Sequence, residues 1–463
     1  MNKKILAFLK KSRKKQLTEL CQILKIPSIS SSSLHWKSIK DCAEAVQKSF
    51  IQIGLKKSII FKTSGHPIVY AESMQDPQRP TLLFYGHYDV QPVDPLSLWK
   101  NDPFEPTVRK GEIYARGAVD DKGQFFIHLK SVEAYLSTHS SLPVNVKFLI
   151  EGEEEIGSPH LENFIQRNQG LLSCNTVVIS DTAMFKKGLP TLCYGLRGLI
   201  YFQIDIEGPR SDLHSGIFGG AVPNPAETLV RLLASLKNSK GRITIPDFYR
   251  NVKTLTPIEK KEFRRLPFQN KQFERETGIH KTVGEQGYST LERLWARPTL
   301  EINGLSSGFT GEGSKTVLPA KAMAKVSMRL VPDQDYQKIG KLFEKHLKKL
   351  CPDTVKIKIM NLHGGNPWIT DLNHHALAAA AQALEQGFGK KPVFVREGGS
   401  IPVVAIFERI MNLPVVLMGF GAPDEQAHAP NEKLNLQHFY NGILSSAYFL
   451  EKMILSQTET SRY

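Results

Sequence analysis

Long apolar runs are missing from this 463-residue sequence. None approaches the roughly 20 consecutive apolar residues that a membrane-crossing helix needs, so no membrane partner is expected. Cysteine is scarce too. Cys21, Cys42, Cys174, Cys193 and Cys351 are five, scattered, odd in number and without a CxxC pair. That argues against a disulfide framework and for reduced thiols in a cytoplasmic protein. A chain of this length buries enough apolar surface to need no such staples. A secretory leader is also not expected. In MNKKILAFLKKSRKKQL the apolar core Ile5 to Leu9 is too short, and Lys10, Lys11, Arg13, Lys14 and Lys15 follow at once. Ile5, Leu6, Leu9, Leu17 and Leu20 instead predict an amphipathic first helix. No internal repeat is found.

Acidic residues are outnumbered, 45 against 60 basic ones, for a formal charge of +15. Excess of this kind can serve nucleic acid or a membrane surface. No interleaving of basic and aromatic residues marks a strand-binding groove. The excess therefore reads as a solvated basic surface, and no nucleic-acid partner is expected. Hydrophobic content of 41% with 23% charged residues is that of an ordinary globular protein.

Against this basic background one acidic stretch stands out. Phe148-Leu149-Ile150-Glu151-Gly152-Glu153-Glu154-Glu155-Ile156-Gly157-Ser158 places four carboxylates in five positions, directly after an apolar run. Like charges this close repel unless a cation sits among them or water screens them.

Periodicity places that stretch in a layered domain. Helices are predicted over residues 41–53, 122–135 and 161–166. Buried strands are predicted over 68–71, 81–85, 144–150 and 176–179. The alternation implies an α/β domain with a mostly parallel sheet flanked by helices. Near Gly195-Leu196-Arg197-Gly198 the texture changes. Residues 201–206 alternate as a half-buried strand, a helix is predicted over 226–235, and a polar, basic stretch runs from 237 to 290. A strand over 317–330, a helix over 339–350 and a strand over 355–360 follow. These suggest an α+β domain. After residue 370 the first texture returns: a helix over 376–383, strands at 393–394 and 415–418, and a last helix over 436–454. One α/β domain, residues 1–196 and 370–463, is thus interrupted by an inserted α+β domain, residues 197–369.

Three predicted buried strands end in the same chemistry. Thr81 to Tyr85 leads to His87 and Asp89, Val144 to Ile150 to Glu153, Glu154 and Glu155, and Thr176 to Ile179 to Asp181. A fourth, Val415 to Met418, leads into a loop with Asp424 and His428, and the pair Asp120-Asp121 precedes the helix from Lys122. Singly, these are ordinary residues: a structural histidine, a helix cap, a solvated turn. Open α/β sheets, however, gather ligand-binding groups at the carboxyl ends of their strands. Two histidines and several carboxylates converging there need a compensating charge, and divalent cations such as zinc accept mixed imidazole and carboxylate ligands.

Three motifs together resemble a known family. They are His87-Tyr88-Asp89-Val90-Gln91-Pro92, Gly117-Ala118-Val119-Asp120-Asp121-Lys122-Gly123 and Glu151-Gly152-Glu153-Glu154-Glu155-Ile156-Gly157-Ser158. Their order is similar to that in the dinuclear metallopeptidases. These include carnosinase-like cytosolic dipeptidases, glutamate carboxypeptidase, succinyl-diaminopimelate desuccinylase and acetylornithine deacetylase. The resemblance spans about residues 15 to 455. It implies a catalytic α/β domain, an inserted lid and dimerisation domain, and two divalent ions per subunit, zinc first and manganese or cobalt as alternatives. His87 and Asp181 would hold one ion, Glu155 and His428 the other, and Asp120 would bridge them. Glu154 would be the general base, with Asp89 orienting His87. Glu151 and Glu153 would be supporting or solvated. His214, in Asp212-Leu213-His214-Ser215-Gly216, would stabilise the oxyanion across a homodimer.

The same resemblance implies the substrate. Arg329, Thr316, His363, Gly399 and Ser400 match the substrate-clamping positions of the dipeptidase branch, and an arginine can hold a free carboxylate through two hydrogen bonds. Hydrolysis of free dipeptides is the leading expectation. Deacylation of N-acyl amino acids is the alternative, and a non-catalytic binding module is a remote one, since binding alone needs no base at Glu154.

Overall fold

The computed structural model describes residues 1–139, 141–399 and 401–460. Within them the chain divides into two compact units. The first comprises Met1–Tyr194, Thr370–Val395 and Pro402–Tyr463; the second comprises Gly195–Ile369 and Arg396–Ile401.

In the first unit the apolar runs become strands because both of their faces are covered. Strands Thr81–His87 and Asn145–Glu151 are buried at every position. They pair in parallel, with Leu82 opposite Val146 and His87 opposite Glu151. Thr176–Ile179 pairs in parallel with Thr81–His87 on the other side, and Val415–Leu417 in parallel with Thr176–Ile179. Antiparallel neighbours flank this parallel centre: Ile68–Ser73 and then Lys57–Phe61 at one side, and Cys193 opposite Leu417 at the other. Successive side chains of a strand point to opposite faces. On one face Phe84 stacks on Phe148 and on His128 of helix Lys122–His139. On the other, Tyr85 meets Phe407 of helix Pro402–Met411 edge-on. Each aromatic ring buried this way contributes about 1.5–3 kcal/mol. Helix Leu436–Thr460 packs on both Lys122–His139 and His375–Phe388.

His128 shows how this core tolerates a titratable group. Its Nε2 lies 2.7 Å from Ser180 Oγ and its Nδ1 2.8 Å from Ser446 Oγ. Both nitrogens are occupied, and burial pushes the imidazole down to about 3. It is a neutral core histidine, not a ligand.

Two elements differ from their sequence reading. The predicted first helix is two helices, Lys3–Lys11 and Arg13–Leu24. Ser12 separates them, and its hydroxyl and its N–H both donate to the Phe8 carbonyl. A serine that bonds back to the preceding turn in this way competes with helix propagation. The predicted strand over 317–330 is likewise two, Val317–Leu318 and Lys321–Leu330. Pro319 lies between them, lacking the N–H that a ladder requires.

The second unit is built on a four-stranded antiparallel sheet. Its order is Thr299–Ser307, Lys321–Leu330, Gly198–Glu207, Lys356–Gly365. Ile200, Phe202, Ile204 and Ile206 alternate onto one face. They join Leu229, Leu232 and Leu233 of helix Pro225–Ala234 and Ile339, Phe343 and Leu347 of helix Tyr336–Leu350 in one core. The basic stretch 237–290 holds two short helices, Pro257–Arg265 and Asn270–Thr277. A Thr256–Glu259 capping box starts the first of them. A small ribbon pairs Leu213–His214 with Val317–Leu318.

Candidate metal centre

The parallel strands of the first unit deliver their polar ends to one place. His87 is the last residue of its strand and is fully buried. Its Nδ1 lies 3.1 Å from the Asp89 carbonyl oxygen and 3.4 Å from the Asp89 carboxylate. A proton on Nδ1 bonded there leaves the lone pair on Nε2. Nε2 is 3.1 Å from Asp120 Oδ1 and 4.0 Å from Asp181 Oδ2, yet it is buried with no hydrogen bond of acceptable geometry. The peptide bond between Asp120 and Asp121 is cis, and Asp121 accepts from the His87 backbone N–H at 3.2 Å. The Asp121 side chain is therefore turned to the strand end, while its carbonyl accepts from the Gln124 and Phe125 N–H groups of the helix that follows.

On the other side of Asp120 stands His428. Its Nε2 is 2.8 Å from Asp120 Oδ2 and 3.3 Å from Glu155 Oε2. It sits in the Gly421–Lys433 loop with a positive φ of 62°. Glu154 and Glu155 occupy a single 3₁₀ turn, Glu154–Ile156, which Gly157 ends at φ 86°. The Asp89 carboxylate accepts from the backbone N–H groups of both, at 3.3 and 3.1 Å. Asp89 thus joins the His87 strand end to the acidic turn. Gln91 donates to Glu155 Oε2 at 2.7 Å.

Two groups of potential ligands result, each with its donor atoms within 4.8 Å of one another: His87, Asp120 and Asp181; and Asp120, Glu155 and His428. Asp120 belongs to both. The electrostatics describe an unbalanced site. Burial, then the Asp120 charge, push Asp181 well above its usual range. Burial would also raise Asp120, but the adjacent His428 and His87 imidazoles hold it far below the carboxylate range. Burial raises Glu154 to about 7; His87 opposes the shift, and Glu155 and Asp89 add to it. Bonds to Asp120 and Glu155 lift His428 to about 10. Excess negative charge in a buried site is the arrangement that divalent cations stabilise. The donor set, imidazole and carboxylate with a buried histidine nitrogen unbonded, fits such ions.

The other two acids of the stretch are buried supports rather than solvated charges. Glu151 accepts from Tyr85 Oη at 2.5 Å and Ser158 Oγ at 2.8 Å. Glu153 accepts from the His66 N–H at 2.9 Å and lies 2.8 Å from His160 Nδ1. Asp424 is not drawn into the centre; it pairs with Lys433 at 2.9 Å.

The remaining candidates lie in the second unit. Exposed His214 accepts from the Gly216 N–H through Nδ1 at 3.0 Å. Next to it, the Thr316 carbonyl accepts from the Ser215 N–H at 3.1 Å. Arg329 and Gly365 flank Leu199 on either side of the central strand, and His363 stacks on Tyr201 with ring centroids 5.3 Å apart. Arg329 and His363 therefore share one end of that sheet. Gly399 is exposed and would leave open space around an added Cβ. Ser400 lies outside the described residues. Sequence reasoning missed Arg197, whose Nε donates to the Gly398 carbonyl at 3.2 Å. Burial and the nearby Arg329 charge pull Arg197 down to about 10. It also missed the buried Glu432, which accepts from the Asp120 N–H at 3.1 Å. Its only sequence signal is its place four residues after His428.

Known proteins resemble this chain over most of its length. The sequence profile of Peptidase family M20/M25/M40 matches residues 83–452. The chain belongs to this family. It is 35% identical to the Cys-Gly metallodipeptidase dug1 of Schizosaccharomyces pombe, over 95% of this chain and 96% of that protein. It is 34% identical to human Beta-Ala-His dipeptidase, over 83% of this chain and 77% of that one. Among solved structures, that of the di-peptidase Dug1p from Saccharomyces cerevisiae covers 98% of both chains, with TM-score 0.79 and 32% identity. The metallo-carboxypeptidase Sso-CP2 of Sulfolobus solfataricus superposes with TM-score 0.83 at 33% identity, over 95% of this chain and 99% of that one. The chain is thus a metallopeptidase with an α/β catalytic domain and an inserted domain.

Proposed function

We propose that this peptidase is a dipeptidase that hydrolyses the peptide bond of free dipeptides with two divalent ions, zinc in the first place. The observation that carries the reading is the sharing of Asp120 by two ligand groups with Glu154 beside them. His87 and Asp181 would hold one ion and Glu155 and His428 the other, with Asp120 common to both. When bound, the ions polarise the scissile carbonyl and acidify a water near neutral pH. Glu154 takes a proton from the attacking water, because it is a carboxylate held at a raised proton affinity inside the site. Once the water oxygen has bonded to the carbonyl carbon, Glu154 returns the proton to the amine nitrogen as the C–N bond breaks. Asp89 keeps the His87 proton on Nδ1 and fixes the turn that carries Glu154.

The residues 197–369 serve as lid and dimerisation domain. His214 donates to the developing oxyanion of a partner subunit's site, since its Nδ1 is held by Gly216 and its Nε2 is left to act. Mixing His214→Ala with Glu154→Gln protein should then restore part of the lost activity. Absence of rescue, with subunit exchange verified, places His214 outside the reaction of a partner. The five cysteines form no disulfide, which suits a reducing cytoplasm.

Arg329, with Thr316, His363, Gly399 and Ser400, recognises the free carboxylate of the dipeptide. The test is amine release from free dipeptides, their C-terminal amides, and N-acetyl and N-succinyl amino acids. Free dipeptides should be cleaved and their amides spared, and Arg329→Lys should raise KM more than it lowers kcat, because a lysine cannot reproduce the bidentate pair. Cleavage confined to N-acyl amino acids would assign the chain to deacylation instead.

A further inference from the structure

The loop that presents His428 is anchored by a carboxylate that the mechanism does not use. Glu432 is fully buried. Its Oε1 accepts from the backbone N–H groups of Val119 at 2.8 Å and Asp120 at 3.1 Å. Its Oε2 accepts from the Gly117 N–H at 2.9 Å and Arg116 Nη1 at 2.8 Å. An ionised carboxylate offers about four lone-pair sites. Here all four are filled, and every donor belongs to the segment that ends in Asp120.

The same loop needs anchoring. Gln426, His428 and Asn431 have φ of 56°, 62° and 65°, a region that side-chain-bearing residues rarely adopt unless the surroundings impose it. Asn431 is held by the Lys100 N–H at 2.9 Å and the Leu98 carbonyl at 2.8 Å. Glu425 closes the base of the loop through the Ala422 and Asn435 N–H groups, at 2.7 and 2.8 Å. Only Glu432 among these anchors reaches the residue that both ligand groups share.

We propose that Glu432 is a positioning residue for the two-ion centre, tying the His428 loop to the Asp120 segment so that both ions depend on one fixed carboxylate. This rests on the two-ion reading above. A shift of Asp120 moves an oxygen of each group, whereas a shift of any other ligand moves one.

The experiment titrates chelated, full-length protein with manganese(II), followed by calorimetry, beside the melting temperature of the ion-free protein. Wild type must first take up two equivalents; if it does not, the two-ion reading fails and the present proposal is not what failed. Glu432→Asp keeps the charge facing buried Arg116 but draws the carboxylate back by one methylene from the Val119 and Asp120 N–H groups. Both equivalents should weaken by about 10–100-fold, as for other supporting partners of metal ligands, with the ion-free melting temperature near that of wild type. Wild-type affinity for both ions in Glu432→Asp overturns the proposal. So does weakening of one ion alone, which would make Glu432 an anchor of the His428 loop only. Where Glu432→Asp melts far below wild type, Glu432→Gln, which keeps the side-chain length, decides by the same criterion.

Discussion

Glu154→Gln is expected to keep the fold and both ions and to lose turnover by about 10²–10⁴-fold, the usual worth of a positioned general acid–base. At 1.36 kcal/mol per decade, that is about 3–5.5 kcal/mol of transition-state stabilisation. The substitution is nearly isosteric. It removes only the ability to accept and return a proton, and the N–H by which Asp89 holds this turn remains. No ligand group includes Glu154, so metal content should stay at two per chain. The loss should appear in kcat with KM little changed, the pattern of an interaction made in the transition state alone. Steady-state rates on a free dipeptide, with elemental analysis of the same sample, provide the check. Full activity at full metal content would remove Glu154 from the mechanism.

Asp120→Asn is expected to empty the centre. Asp120 supplies one oxygen to His87 and Asp181 and the other to Glu155 and His428. An asparagine offers one oxygen, no charge, and an NH₂ that cannot ligate. Even a partner one step removed from a metal is worth about 10–100-fold in affinity, so loss of the shared ligand should exceed that for both ions. Asp181→Asn, by contrast, touches a single group and should weaken one ion far more than the other. Elemental analysis after dialysis distinguishes them: well under one ion per chain for Asp120→Asn, about one for Asp181→Asn. Two retained ions in Asp120→Asn would refute the bridging role.

How much of this was legible in the sequence depended on the range of the interactions involved. Buried parallel strands announce themselves as apolar runs, so Thr81–His87, Asn145–Glu151 and Thr176–Ile179 lie where periodicity placed them. A strand that is buried on both faces fixes where its last residue points. Convergence of His87, Glu155, Asp181 and His428 therefore followed from strand ends, and assigning Asp120 as the shared ligand took the ordered motifs. Other features depend on chain folding over long separations. Glu432 meets the Asp120 segment from more than 300 residues away, and Gln91 finds Glu155 across the sheet edge. Neither contact has a local signature. Glu151 and Glu153 show the same limit. Four acids in five residues looked partly solvated, but Tyr85, Ser158, His66 and His160 each turn toward one of two of them. In the second unit, helix and sheet periodicity was readable, whereas the roles of Arg329 and His214 depend on motif resemblance.

The central claim is that two ions share Asp120. Anomalous X-ray diffraction at the zinc edge, from crystals of zinc-loaded protein, tests it most directly. The account predicts two peaks, one bounded by His87, Asp120 and Asp181 and the other by Asp120, Glu155 and His428. A single peak, or a pair away from Asp120, would contradict it.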